Sequence, residues 1–407
     1  MSIDPIRTLD PAVGLVSEAT VYPPNETGLW RTVAVLANSG SSREGFASAV
    51  GAFDVRRRDS LIRGAGEAVE RFALVPTSAD AAHLLAQDDA ERRIDFVTGG
   101  LGCASALAYD LPWYKAVDLL SGKESHVPGP LVDYRPVVDR QADTPGPDPW
   151  ERFFDASPNG AASGPTEKFA QRAGLAEVME RDAFLTAWHT SAPLHRVDID
   201  ELPESPKAHN LAALMEAARA AEVLYTLAFV PSAGSPLLTA VCVITDSTEP
   251  APFGAVGLKA SPDPVAALLG ALQEGLQIRE LFLSREAQAF DIGSSVTDDS
   301  SRADFWSTAP AVAGLQDWVA TFPAVPTPAS QPVPDVDDLA NCLARRGIGC
   351  HWVDLTHRLP SAIRELGWVS GKAICPGAVQ LTMDETKGLS FQRPGFSFVN
   401  QTPHPLI

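Results

Sequence analysis

The chain is short of cysteine, short of basic charge, and without any apolar run long enough to span a bilayer. Its five cysteines are odd in number and widely spaced, so a disulfide framework is not expected. Cys342 and Cys350 lack zinc-knuckle spacing. His351 and His357 flank Asp354, but beside Trp352 and Val353 they read as strand residues and not as a zinc site. Lys and Arg total 32 against 51 Asp and Glu, a net charge of −19. That balance argues against nonspecific nucleic-acid binding, which works by neutralising phosphates, and weakly favours a basic peptide partner. The opening residues Met1-Ser2-Ile3-Asp4-Pro5 have neither the basic nor the apolar region of a signal peptide. A cytoplasmic protein without membrane association is expected. Thr98-Gly99-Gly100-Leu101-Gly102 is glycine-rich but lacks the Lys-Ser/Thr ending of a P-loop and the spacing of a dinucleotide fingerprint. It reads as a turn, so any nucleotide site would not use a Walker motif.

What is present suits an enzyme-sized globular protein. A chain of 407 residues, 45% hydrophobic and 20% charged, can bury a large core or two fused lobes. Leu224 to Val230 and Thr239 to Ile244 read as strands, joined by the turn formers Ser232-Ala233-Gly234-Ser235-Pro236. Helical segments alternate with such strands, which predicts an α+β architecture. The expected organisation is one domain over 1–407, with lobes near 1–145 and 150–407. A proline-rich linker at 321–336, with five prolines from Pro323 to Pro334, is expected to run extended on the surface. Asp143 to Pro149 reads as flexible, the Ser/Asp-rich segment from Asp291 to Asp304 as a mobile loop, and 400–407 as a proline-rich tail.

Three helical segments repeat one polar pattern: Gly66-Glu67-Ala68-Val69-Glu70-Arg71-Phe72, Ala176-Glu177-Val178-Met179-Glu180-Arg181-Asp182 and Gln273-Glu274-Gly275-Leu276-Gln277-Ile278-Arg279. Each sets an acid at i, an acid or amide at i+3 and an arginine shortly after. Residues three or four apart share a helix face, so each pair can address one point. In the first segment Leu61, Ile62, Ala65, Val69, Phe72 and Ala73 form an apolar stripe, and the acids off it could be ordinary solvated surface. The second helix is apolar nearly all round, through Leu175, Val178, Met179, Phe184, Leu185 and Trp188. The third surrounds Glu274 with Ala267, Ala271, Ile278 and Leu281. Ionised carboxylates in such settings cost several kcal/mol each unless cations accompany them. Arginines, metals or both would serve; a buried structural Glu/Arg network is the competing reading.

These segments carry a resemblance. Gly64 to Arg71 resembles the S-x-x-E-x-x-E-R motif of the YcaO family, with Gly64 where serine is usual. Trp113 to Val132, Asn159 to Gly164 with Leu175 to Ala183, and Ala271 to Arg279 resemble the family's later segments in the right order. The resemblance implies a mixed α+β fold with an ATP site between the motif helices, and ATP-dependent activation of peptide backbone amides. By motif match it implies Glu70, Glu177, Glu180 and Glu274 as Mg²⁺ ligands, and Glu67 and Gln277 as nucleotide or metal contacts. Arg71, Arg181 and Arg279 would pair with phosphates or orient the acids. Arg7, near the N-terminus, could also reach the phosphates. Hard Mg²⁺ takes oxygen ligands, and phosphoryl transfer needs positioning and charge neutralisation above all.

The chain stops at Pro403-His404-Pro405-Leu406-Ile407. Azoline-forming YcaO proteins often end in Pro-His-Pro-Phe-Pro, and Leu406-Ile407 replace the last two residues here. The resemblance makes the Ile407 carboxylate a catalytic candidate and His404 a candidate base; a disordered tail is the alternative. The implied activity is cyclodehydration of Cys, Ser or Thr in a precursor peptide to thiazoline or oxazoline. Macroamidine formation of the bottromycin type comes second and thioamidation third. A degenerate scaffold that binds peptide without turnover is the reading from another class, prompted by Gly64. No fused partner domain is expected at either end, so a separate precursor-recognition protein is a candidate partner, and a homodimer is left open.

Overall fold

A computed structural model describes residues 3–37, 49–78, 80, 83–85, 90–134, 149–197, 199, 204–248, 251–285, 294–387 and 397–407. Its helices are α1 (Pro5–Thr8), α2 (Arg57–Leu74), α3 (Gly129–Val132), α4 (Glu167–His189), α5 (Pro206–Ala220), α6 (Pro264–Ser284), α7 (Asp299–Phe305), α8 (Ala309–Ala320), α9 (Val336–Ala344) and α10 (Ser361–Glu365). They pack on three sheets, giving the α+β fold read from the sequence.

The first sheet is an antiparallel meander of β1 (Val16–Tyr22), β2 (Trp30–Leu36) and β3 (Ala49–Asp54). The second draws on both ends of the chain. Its order is β5 (Glu124–Pro128), β4 (Trp113–Asp118), β12 (His351–Asp354), β13 (Val369–Ile374) and β6 (Ala161–Gly164), antiparallel throughout. The third runs β10 (Phe253–Ser261), β9 (Leu238–Asp246), β8 (Tyr225–Phe229), β7 (His195–Val197) and β11 (Ala324–Val325). The two strands read between 224 and 244 are β8 and β9. Of the proline-rich segment, only Ala324 and Val325 join a sheet, pairing parallel to β7 at its edge, where missing proline donors do least harm.

Each motif helix starts where local chemistry dictates. Thr166 caps α4 by accepting the Phe169 amide at 3.2 Å, and Asp263 caps α6 at the Val265 amide, with Pro264 in the first turn. Helix α2 sits in a core with β1–β5 residues such as Leu36, Trp113 and Val127, and α6 in a second core over β8–β10. Helix α4 bridges the two regions. Phe184, Leu185 and Trp188 enter the α6 core, while Leu175, Val178 and Met179 pack with Trp352 and α9.

Two expectations change. The described part of the Ser/Asp-rich segment is not a mobile loop: Asp298 accepts the Ser301 amide at 2.7 Å, and Ser301 returns the contact in a capping box that starts α7. Ile62 and Leu281, placed on apolar stripes, are 42% and 40% exposed, and Ala68 takes a buried place in α2 instead. The flexible segment expected at 143–149 lies outside the described residues up to 148, as does the lobe boundary near 145.

Candidate active site

The acids of α2, α4 and α6 converge, and a sheet edge organises them. Strand β10 is an outer strand, so alternate amides face away from β9 with no ladder partner. The Leu258 amide donates to Glu274 Oε2 at 2.7 Å, and the Ala260 amide donates to Glu180 Oε2. Each carboxylate thus spends one oxygen on the backbone. For Glu274 the other faces Arg181, whose Nη2 is 3.3 Å from Oε1; Arg181 Nε lies 4.0 Å from Glu180 Oε1. On α2, Arg71 Nε donates to Glu67 Oε1 at 2.7 Å, an i,i+4 pair along the helix.

Electrostatics show that the three helices address one volume. Burial, with Glu67 and Glu177 nearby, pushes the Glu70 carboxyl well above the usual range despite Arg71 and Lys259. Burial likewise pushes Glu177 up to about 7; Arg181 and Arg71 hold it down while Glu180 and Glu67 push it further up. Glu180 is raised by burial and Glu274, against Lys259 and Arg181. Burial works against the charges of Arg71 and Arg181, yet the surrounding acids outweigh it and hold both above the ordinary arginine value. Acids outnumber nearby cations, and Arg181 Nε is buried with no hydrogen-bond partner. This is a site short of positive charge.

Among the described residues, no three His, Cys, Asp or Glu side chains are already gathered tightly enough to cage an ion. The donor set nevertheless fits Mg²⁺. It is all hard oxygen, and Mg²⁺ is ordinarily held by a few carboxylates with phosphate oxygens and water completing the shell. Glu70, Glu177, Glu180 and Glu274 could supply those carboxylates, with Glu67 beside them.

Other sequence-named residues fall at varying distance from this centre. Gln277 donates to the Gly51 carbonyl on β3 at 3.4 Å. Arg279 turns elsewhere, pairing with Glu26 at 2.7 Å and Glu280 at 3.7 Å; five residues past Glu274, it leaves that helix face. Arg7 is exposed on α1. Asp182, next to Arg181, is fully buried, accepts the Val379 amide at 2.9 Å and pairs with Arg346.

Gly64 has a physical reason. A Cβ there would sit 2.7 Å from Thr32 Cγ2 and 2.9 Å from Thr32 Cβ. Thr32, on β2, fills the space and shares a 2.6 Å hydrogen bond with Ser60. A side chain larger than hydrogen at position 64 would have to displace Thr32, which accounts for the glycine on steric grounds.

Two lysines escaped the sequence reading. Lys259, exposed on β10, acts on both Glu70 and Glu180. Lys372, on β13, is 2% exposed and donates to the Ser157 carbonyl at 2.7 Å; burial brings its amine down to about 7. It lines a small cavity with Asp155, Ser157, Asn159 and Gln380.

The C-terminal tail is docked. The Val399 and Asn400 amides donate to the His189 carbonyl at 2.7 and 2.9 Å, and Trp188 Nε1 donates to the Thr402 carbonyl at 3.0 Å. The His404 carbonyl accepts Arg302 Nη1 and Trp306 Nε1, both at 3.1 Å. Its ring is equally committed: Nε2 bonds the Thr382 carbonyl at 2.8 Å and Nδ1 accepts the Leu406 amide at 3.3 Å. Burial, then Arg302, holds its pKa well below the ordinary value, and the Arg181 charge also reaches it. A neutral ring with both nitrogens occupied is an anchor and has no lone pair to spare as a base. Leu406 is buried in the α6 core with Ile407 packed beside it, so the apolar Leu-Ile ending is a hydrophobic plug.

A family model described as "YcaO cyclodehydratase, ATP- and Mg²⁺-binding" matches residues 54–379. Among curated proteins none matches. The fold is similar to that of a YcaO protein from Methanopyrus kandleri bound with AMPPCP and Mg²⁺. There the identity is 18%, the match covers 94% of this chain and 91% of that one, and the TM-score is 0.67. It is also similar to a heterocyclase in complex with substrate and cofactor, at 18% identity and TM-score 0.70; all of this chain is covered but only 57% of the heterocyclase. The E. coli microcin synthetase McbBCD complex matches at 14% identity over 88% of each chain, with TM-score 0.62. No helix of the described residues is long and apolar enough to cross a membrane.

Proposed function

The chain belongs to the YcaO family of ATP- and Mg²⁺-binding cyclodehydratases, and we propose that it converts Cys, Ser or Thr of a precursor peptide to thiazoline or oxazoline. The observation that carries this reading is the convergence of carboxylates from three helices on a volume short of positive charge, beside a docked C-terminus. Glu70, Glu177, Glu180 and Glu274 would hold Mg²⁺, which when bound would supply the positive charge that phosphoryl transfer needs. Arg181, held between Glu274 and Glu180, keeps its unpartnered Nε for a phosphate oxygen. Arg71, whose Nε is held by Glu67, offers its remaining guanidinium N–H groups to phosphate from α2.

The chemistry balances as follows. The side-chain nucleophile adds to the preceding backbone carbonyl, the resulting oxyanion takes the γ-phosphoryl of ATP, and phosphate leaves as the ring C=N forms. The peptide loses one water and ATP becomes ADP. A proton must leave the nucleophile and the amide nitrogen. The Ile407 carboxylate is the proposed acceptor, positioned by the Arg302–His404–Trp306 contacts and by the Leu406 plug. His404 positions the tail.

The heterocyclase was solved with a substrate and the microcin synthetase is a complex. By likeness, the partners proposed here are a precursor peptide and a separate recognition protein. Mass spectrometry of candidate precursors after incubation with Mg-ATP tests the reaction. Loss of one water per modified residue, localised to Cys, Ser or Thr, is expected. Water loss placed at the peptide N-terminus would instead mark an amidine macrocycle, and sulfur replacing oxygen would mark thioamidation; either overturns the azoline assignment.

A further inference from the structure

Lys259 is the cation of this site that local bonding leaves uncommitted. Arg71 is engaged by Glu67, Arg181 by Glu274 and Lys372 by carbonyl oxygens. Among the described residues the Lys259 ammonium has neither an ion pair nor a hydrogen bond. Its place is nonetheless fixed. It lies on β10 between Leu258 and Ala260, whose amides hold Glu274 and Glu180. Its stem crosses α6 at Gly270, where a Cβ would come within 2.5 Å of Lys259 Cγ and 2.9 Å of Lys259 Cβ. Glycine is unfavourable inside a helix, and here its absent side chain is the groove in which the lysine lies. From that groove the lysine charge acts on Glu70 of α2 and Glu180 of α4 together. Lys259 is also the exposed member of the cluster, and a peptide amide must reach the buried acids from the solvent side. The phosphoryl group that is transferred must face that side.

We propose that Lys259 contacts the terminal phosphate of the bound nucleotide, and that Gly270 is the slot that aims it there. The inference rests on the Mg-nucleotide reading of the carboxylate cluster. A flexible, strongly hydrated ammonium suits the role, since it can follow the phosphoryl group as charge shifts toward the amide oxygen. Because the contact is to the terminal phosphate, its loss discriminates between nucleotides.

Calorimetric titration of wild type, Lys259→Met, Lys259→Arg and Gly270→Ala with a nonhydrolysable ATP analogue and with ADP, each with Mg²⁺, tests this. Lys259→Met should weaken the ATP analogue about tenfold or more, the loss of one charge-assisted hydrogen bond, and ADP by much less. Lys259→Arg should restore most of the difference. Gly270→Ala should reproduce the selective loss by displacing the stem, and should add little to Lys259→Met. Equal losses for both nucleotides, or an unchanged ATP-analogue affinity in Lys259→Met, would overturn the assignment while wild-type binding still upholds the site. A wild type that binds neither nucleotide would overturn the site and the assignment together.

Discussion

Two buried charge clusters meet α2, one through its side chains and one at its C-terminal carbonyls, and they are built to opposite rules. Around Arg358 every nitrogen of the guanidinium is engaged. Its guanidinium donates to Asp80 at 2.8 Å, to the Ala73 and Leu74 carbonyls at 3.0 and 3.2 Å, to Tyr114 Oη at 2.8 Å and to Asp133 at 2.6 Å. His357 adds a second bond to Asp80 at 2.7 Å. That network ties the C-terminal half of the chain to α2 and β4 and has no capacity left for a ligand. The carboxylate cluster of α2, α4 and α6 leaves acids without cations and Arg181 Nε without a partner. A complete network stabilises a fold; an incomplete one in an equally protected setting is shaped for something that arrives later.

The sharpest way to break the contrast is to truncate one member of each cluster. Arg358→Ala strands Asp80 and Asp133 and should cost about 3–5 kcal/mol of stability, as breaking a buried ion pair does. Chemical denaturation measures it; a loss below about 1 kcal/mol would place Arg358 with ordinary surface pairs. Glu180→Gln should do the reverse. It should lower ATP turnover about 10²-fold or more, the scale of losing one electrostatic contact to the transition state, while leaving the melting temperature unchanged or higher, since it removes a crowded negative charge. A destabilised Glu180→Gln with normal turnover would move Glu180 into the structural class.

The tail belongs to both kinds of region. Deleting Leu406 and Ile407 should abolish peptide turnover and spare nucleotide binding; an unaffected rate would show that the docked end only fills the core.

Two buried groups respond to pH in opposite senses. Glu177, with a folded pKa of about 7 against an ordinary 4.5, retains a proton that the unfolded chain releases. Its contribution to stability is complete below about pH 4.5 and is lost as pH rises through 7. Lys372 is depressed to about 7 from 10.5. Its contribution is present above about 10.5 and is lost as pH falls toward 7. Melting curves of the ligand-free protein should show Glu177→Gln flattening the acid-side slope alone. A mutant whose slope matches wild type contradicts the shared pocket. Arg279→Ala should have the smallest effect on nucleotide binding, because Arg279 pairs with the exposed Glu26 and not with the motif acids; a change in ATP affinity above about tenfold would return it to the site.

These differences were unequally legible. The Glu-x-x-Glu and Glu-x-x-Gln pairs could be read because helix periodicity is local, and their apolar neighbours in α4 and α6 already implied burial. Arg279 stands five residues past Glu274, which on a helix is a different face, and it pairs with Glu26. Thr32 beside Gly64, and Lys259 over Gly270, are pairings between elements that only tertiary packing creates. The sheet in which β12 and β13 lie between β4 and β6 is non-local in the same way. In the tail, the Pro-His-Pro pattern was visible, but the anchors Arg302, Trp306 and Thr382 lie far from it in sequence.

Under the proposed function, Mg²⁺ and ATP complete the incomplete cluster. Calorimetric titration with a nonhydrolysable ATP analogue, with and without Mg²⁺, on wild type and on Glu177→Gln/Glu180→Gln addresses it most directly. The expected result is tight binding only in the wild type with Mg²⁺, accompanied by proton release that grows as pH falls below 7. Binding that is indifferent to Mg²⁺ and survives the double substitution would contradict it.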